Sequence, residues 1–231
     1  MLRAETRRHG LDAKRNGTIL GIIAVAAIVF GWDQTRELPF SYSYGAVPVL
    51  ITSAWDSLLG GQLSLSAVGA ITRLITALFL HGSVEHIVFN MVFLWTFGSL
   101  AAQILGQWRA LAIFLLCGVC GNILQVWLNA GSSGPIIGAS GAVCGFEGVY
   151  LGLAIRWRLA WPDVWPLAHP IPPLQLAAFG VVGFVVDMFM LTSHDQQIAY
   201  GAHIGGFLSG FAIAALITTV YPTETAYRRR A

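Results

Sequence analysis

Pro135-Ile136-Ile137-Gly138-Ala139-Ser140-Gly141-Ala142 sets a serine among small residues, where a polar, Gly-rich stretch (130–135) gives way to a long apolar segment. A serine at the start of a membrane helix has its hydroxyl beside backbone N–H groups that lack intrahelical acceptors. Those groups and the positive end of the helix dipole favour negative charge. A nucleophile next to such an anion site is an arrangement for acyl transfer. The plainer reading of the same stretch is small-residue packing between membrane helices. Everything outward from Ser140 bears on which reading holds.

Hydrophobic residues make up 56% of the 231 positions and charged residues only 10%, with mean hydropathy +0.69. A soluble domain carries about twice that charge, so the composition describes a polytopic membrane protein. A net charge of +2, with basic residues clustered at the termini, is too small to suggest a nucleic-acid partner, and none is expected. The three cysteines, Cys117, Cys120 and Cys144, fall in apolar segments and read as small core residues, not as a disulfide framework. The basic start leads into an apolar segment with no small-residue cleavage site after it, so no cleavable signal peptide is expected.

Hydropathy predicts six helices, at about 18–32, 83–105, 108–129, 140–156, 174–192 and 200–221. Residues 33–72 read as a long loop rich in Tyr, Trp and Leu, suited to lie partly within the bilayer interface. The expected fold is an all-α membrane protein with six transmembrane helices. Residues 18–221 form its membrane domain, between a basic N-terminal tail (1–17) and a basic C-terminal tail (222–231). Six spans put both termini on one side. With that side cytoplasmic, the inside cations are Arg3, Arg7, Arg8, Lys14, Arg15, Arg109, Arg156, Arg158, Arg228, Arg229 and Arg230, leaving Arg36 and Arg73 outside. This asymmetry satisfies the positive-inside rule.

In that topology the second, fourth and sixth helices all begin at the outer face. Each carries its conspicuous polar residues within about two turns of its start: His86 and Asn90, Ser140, and His203. His86 and Asn90, four apart, share a helix face. Polar groups in membranes are costly and face a bundle interior or a wet cavity. A serine needs a base, and a histidine can serve. His203 is the candidate, because the following Gly206 and Gly210 form a G-x-x-x-G that lets another helix approach closely. The fourth helix answers with Ala139, Gly141, Gly145 and Gly148. His86 and Asn90 then become donors to a developing oxyanion beside the Ser140 N–H.

Three stretches carry a family resemblance. They are His81-Gly-Ser-Val-Glu-His86-Ile-Val-Phe-Asn90-Met91, then Gly138-Ala139-Ser140-Gly141, then Ala202-His203-Ile-Gly-Gly206-Phe-Leu-Ser-Gly210. Their order and helix placement resemble the rhomboid family of intramembrane serine proteases, over roughly residues 70 to 212. The resemblance implies a rhomboid-like bundle with a Ser140–His203 catalytic dyad and no third acidic member. It implies an oxyanion hole containing His86 and Asn90, and no metal or other cofactor. Gly138, Ala139, Gly141, His81 and Arg73 are its possible supporting residues, with His81 anchoring the loop beside the site. The partners implied are single-span or multi-span membrane-protein substrates within a lipid bilayer, and the expected location is a prokaryotic inner membrane.

The chain departs from the family pattern at Thr72, Ala102 and Cys144, the last replacing an aromatic that commonly packs on the histidine. Two intramembrane acids, Glu147 and Asp187, need a physical account. Glu147 is expected to be neutral and hydrogen-bonded within the bundle, and Asp187 to lie near water. His9, His169 and His194 receive no role. The alternative function is a catalytically inactive relative that binds transmembrane clients. A metal or haem protein using His81, His86 and His203 is disfavoured, since Glu85-His86 lacks the preceding histidine of a zinc motif. The serine is not in a G-x-S-x-G elbow, which excludes a soluble-type α/β-hydrolase.

Overall fold

The computed structural model describes residues 13–162, 171–191 and 198–221, with the side chains of 13–15 excepted. Among these the protein is all-helical. Five helices are long and apolar enough to cross a membrane. They are α1 (Ala13–Asp33), the continuous run Val84–Leu105, α7 (Gln107–Leu128), α9 (Pro173–Met190) and α10 (Tyr200–Val220). The run Val84–Leu105 comprises α5 (Val84–Phe93), a π-helical turn at Leu94–Gly98 and α6 (Ser99–Leu105). The predicted fourth helix is α8 (Ser140–Arg156), which has 17 residues and is therefore shorter than the five.

α8 is the hub of the molecule. Phe146, Val149, Tyr150 and Leu153 are fully enclosed, and α8 packs most extensively against α10, then α7 and α9. Lipid tails are as apolar as leucine, so close van der Waals fit must hold such helices together. The fit here is a backbone one. A β-carbon on Gly206 or Gly210 of α10 would overlap the carbonyl oxygen of Gly141 or Gly145 of α8. The expected G-x-x-x-G contact is thus present. In contrast, α9 turns Phe179, Val182, Val185 and Phe189 outward, a face suited to hydrocarbon.

The segment between the first two spans differs from expectation. Residues 33–72 are not an irregular loop but mostly short helices: α2 (Phe40–Tyr44), α3 (Pro48–Leu59) and α4 (Leu65–Thr76), the last passing into a 3₁₀ turn at Ala77–Phe79. Local chemistry accounts for them. Pro48 stands at the start of α3, where its missing N–H costs nothing. Ser64 caps α4 by accepting from the Ala67 N–H at 3.2 Å. Turn residues hid helices that are each only one to three turns long. This segment is tied to the chain just before Ser140 by an antiparallel bridge between Ala46 and Ile136, bonded both ways at 3.0 and 2.8 Å. It still exposes Tyr42, Leu50, Trp55, Leu59, Leu63 and Leu65.

Helix α1 also starts earlier than predicted, at Ala13 instead of Thr18. Polar residues at its start are absorbed by contacts. Gln103 donates to the buried Asn16 at 3.2 Å, and the Thr18 N–H donates to Gln107 at 2.7 Å. Cys117 is buried as expected, but Cys120 is exposed on the outside of α7, and all three cysteines are free. His9, His169, His194 and most of the basic tails lie outside the described residues.

Candidate active site

Ser140 opens α8, and its residue is half-buried. Two groups shape the approach to it. The Gly138 N–H donates to the Ala77 carbonyl at 2.9 Å, anchoring the incoming chain on the 3₁₀ turn. Gly138 itself has φ +122°, and a β-carbon there would stand 2.7 Å from Nε2 of His86. Only glycine meets both conditions, the left-handed backbone and the absence of a side chain. Ala139 and Gly141 flank the serine as small, buried spacers, and a β-carbon on Gly141 would meet the Ala202 carbonyl at 3.0 Å.

The close crossing of α8 and α10 delivers His203 to the serine. Nε2 of His203 lies 2.8 Å from Oγ of Ser140. Its other ring nitrogen, Nδ1, lies 3.1 Å from Oδ1 of Asp187 on α9. The Asp187 and His203 side chains are 15% and 17% exposed, so their pairing is largely shielded from bulk solvent. Tyr200, one turn earlier on α10, sets its ring edge-on to His203 at 6.3 Å between centroids.

His86 is placed by the start of α5, where Ser83 caps the helix by accepting from the His86 N–H at 3.1 Å. The Gly82 N–H faces Nδ1 of His86 at 3.4 Å. An acceptor role for Nδ1 leaves Nε2, the nitrogen facing Gly138 and the serine, to carry the proton. Asn90 is buried one turn on, with Nδ2 donating to the His86 carbonyl at 2.8 Å, so one of its two amide hydrogens is committed within its own helix. His81 packs edge-on against His86 at 5.0 Å and is only 2% exposed. Neither of its ring nitrogens has a hydrogen-bond partner among the described residues. Burial, with the neighbouring His86 second, lowers its pKa to about 4, although the nearby Phe79 carbonyl works the other way.

Arg73 is not brought to the serine. It lies on α4 and donates to the Tyr42 carbonyl at 3.4 Å, while Thr76 donates to that of Tyr44 at 2.6 Å. Both braces hold α4 against α2, along a groove of about 640 Å³ that Arg73 also lines. Glu147, two turns below Ser140, is buried against Gly180 of α9. It makes no hydrogen bond among the described residues, unlike the expectation, because the α9 face it meets there offers a glycine and not a polar side chain.

Residues 68–219 match the Rhomboid domain. The chain belongs to the rhomboid family. It is 29% identical to rhomboid protease GluP of Bacillus subtilis over 154 residues, covering 67% of this chain and 27% of GluP. YdcA of the same bacterium is 29% identical over 201 residues, covering 86% of this chain and 91% of YdcA. RHOMBOID-like protein 6, mitochondrial, of Arabidopsis thaliana is 31% identical over 191 residues, covering 81% of this chain and 55% of the plant protein. The chain thus spans about a quarter of GluP and about half of the plant relative.

Within this rhomboid-family chain, an acidic residue, Asp187, stands beside the histidine of the expected Ser140–His203 pair. Asp187 is expected to lie near water, and in the structure its carboxylate faces the histidine directly. The available signal was its position one turn from the outer end of the fifth predicted helix, the depth at which Ser140 and His203 were placed. Cys144, one turn after Ser140, completes a cluster with Asp187 and His203 whose ligand atoms lie within 4.8 Å of one another. Those donor types could hold a transition-metal ion in place of the hydrogen bond.

Proposed function

We propose that this chain is an intramembrane serine endopeptidase that cleaves transmembrane segments of other membrane proteins. The observation that carries the reading is the 2.8 Å contact between Ser140 Oγ and His203 Nε2 where α8 crosses α10. Ser140 attacks the scissile carbonyl while its proton passes to Nε2. The tetrahedral oxyanion is met by the Ser140 N–H, by Nε2–H of His86 and by the second amide hydrogen of Asn90. The imidazolium returns its proton to the leaving amine. Water then hydrolyses the acyl-enzyme with His203 again as base. No metal or cofactor is assigned a step.

The architecture proposed with it is a six-span bundle over 18–221, with α8 as the short fourth span and α2–α4 seated in the outer leaflet. A 17-residue helix is about 25 Å long, less than the ~30 Å of hydrocarbon. Its start therefore lies below one surface, within reach of a substrate helix entering from the lipid. Both termini are cytoplasmic in this reading, and the membrane is a prokaryotic inner membrane. Substrates with weak helix formers near the cut suit it, because the scissile peptide must leave its helix.

The test is cleavage of single-span substrates by purified protein in detergent, with wild type beside Ser140→Ala and His203→Ala. Cleavage by wild type alone is expected. A folded wild type that cleaves none of several substrates would overturn the reading in favour of a client-binding relative.

A further inference from the structure

We infer that Asp187 is a positioning residue for His203, which makes the site a Ser140–His203–Asp187 triad and not a two-residue dyad; this inference rests on the protease reading above. Three observations converge. The two nitrogens of one imidazole are each engaged, Nε2 with Ser140 Oγ at 2.8 Å and Nδ1 with Asp187 Oδ1 at 3.1 Å. The three residues come from three helices, so no local turn forces them together. Both members of the second contact are largely shielded from solvent, where a misdirected donor is costly.

The chemistry that follows concerns the tautomer. For Nε2 to accept the Ser140 proton, the neutral ring must carry its hydrogen on Nδ1. A carboxylate opposite Nδ1 accepts that hydrogen and selects this tautomer. It also holds the ring plane toward the serine and offsets the positive charge that the imidazole gains when Ser140 attacks. The proton balance is simple: one proton moves from Ser140 Oγ to Nε2 and on to the leaving amine, while the Nδ1 proton stays between His203 and Asp187 throughout. Asp187 never touches substrate.

The residue beside the imidazole on the serine's own helix is also small. Cys144 follows Ser140 by one turn and shares the cluster with Asp187 and His203. A bulky side chain at that position would compete with the carboxylate for the space beside the imidazole. Cys144 and Asp187 thus form one local solution, in which a hydrogen bond fixes the ring.

The experiment uses the full chain in detergent and two readouts. Steady-state cleavage is measured for wild type, Asp187→Asn, Asp187→Ala and Asp187→Glu. The ring ¹⁵N shifts of His203 are recorded in histidine-labelled protein and assigned with His203→Gln. The expected result is a loss in kcat of about 10²- to 10⁴-fold for Asn and Ala with KM within about threefold, the upper figure being what removing the acid costs in a soluble Ser-His-Asp enzyme. Partial recovery is expected with Glu. In Asp187→Ala the His203 proton should shift from Nδ1 toward Nε2, and Glu147→Gln should leave the ring signals in place. Cleavage by Asn and Ala variants within twofold of wild type, or an unchanged His203 tautomer in Asp187→Ala, would overturn the inference. Because the nitrogen shifts are read without turnover, a wild type that failed to cleave would count against the protease reading alone.

Discussion

A β-carbon on Gly206 would overlap the carbonyl oxygen of Gly141, so α8 and α10 meet at a separation that only glycine permits. Ser140 precedes Gly141 by one residue and His203 precedes Gly206 by three, so this crossing sets the distance between the Ser140 hydroxyl and the His203 imidazole. Gly206→Ala should destabilise the protein by about 1–3 kcal/mol through overpacking. It should cost cleavage more than stability alone explains, since about 1 Å of misplacement at a reacting pair is worth ~10²-fold in rate. Thermal melting and cleavage rates of the purified variant check this, and full activity would mean the crossing has slack.

Gly138 makes a different demand. Its φ of +122° disfavours any side chain, and the space a methyl would fill lies 2.7 Å from His86 Nε2. Gly138→Ala should cost about 1–3 kcal/mol of backbone strain and push His86 away from the oxyanion position proposed for it. The expected signature is a fall in kcat of at least about tenfold with KM little changed, as for an interaction made only in the transition state.

What could be read beforehand, and what could not, follows from the kind of information each residue carries. Gly206 and Gly210 announce a close helix crossing because small residues at that spacing have few other uses in a membrane. His86 and Ser140 were legible as groups at a shared depth, because each sits within a few residues of a helix start. Asp187 was not legible as a partner of His203. No pattern in sequence fixes the rotation of α9 about its axis, and its uniformly apolar surface leaves the hydropathy signal without a preferred face. The helices α2 to α4 are hidden in the sequence because Gly, Ser and Pro between short runs resemble a loop until Pro48 at the first position of α3 and the Ser64 cap of α4 are considered.

His81 gives the protein a pH-dependent stability. Its pKa is held at about 4 when folded against an ordinary value near 6.5, so the unfolded chain binds a proton that the folded one refuses between those values. Stability is therefore full above pH 7, falls as pH drops through 6.5 towards 4, and levels off below. The loss has an upper bound of about 3 kcal/mol. Melting temperatures from pH 7.5 to 4.5 should decline in the wild type and decline less steeply in His81→Asn. Equal slopes would assign the decline to other groups.

Glu147 is buried but is given no part in the reaction. Its stem rests on Gly180, and its carboxyl has no hydrogen-bond partner among the described residues. Glu147→Gln keeps the shape and removes the ionisable group, so cleavage should stay within about twofold of wild type and melting should hold or rise, since an ionised buried carboxylate is costly. Loss of cleavage in a protein that still melts cooperatively would give the residue a role beyond packing.

The π-helical turn at Leu94–Gly98 divides one continuous run into an upper part bearing His86 and Asn90 and a lower part, from Ser99 to Ala102, that is enclosed on every side. Such a turn holds one residue more than the α-helix, which rotates everything above it by about 100° relative to everything below. The aim of His86 is thereby stored as a count and not as a side chain. Deleting any single residue between Leu94 and Gly98 would let the helix run on regularly and swing the histidine away from Ser140 without altering one atom of the site. The same holds for an insertion in the opposite sense. This stretch tolerates exchange of letters far better than a change in their number.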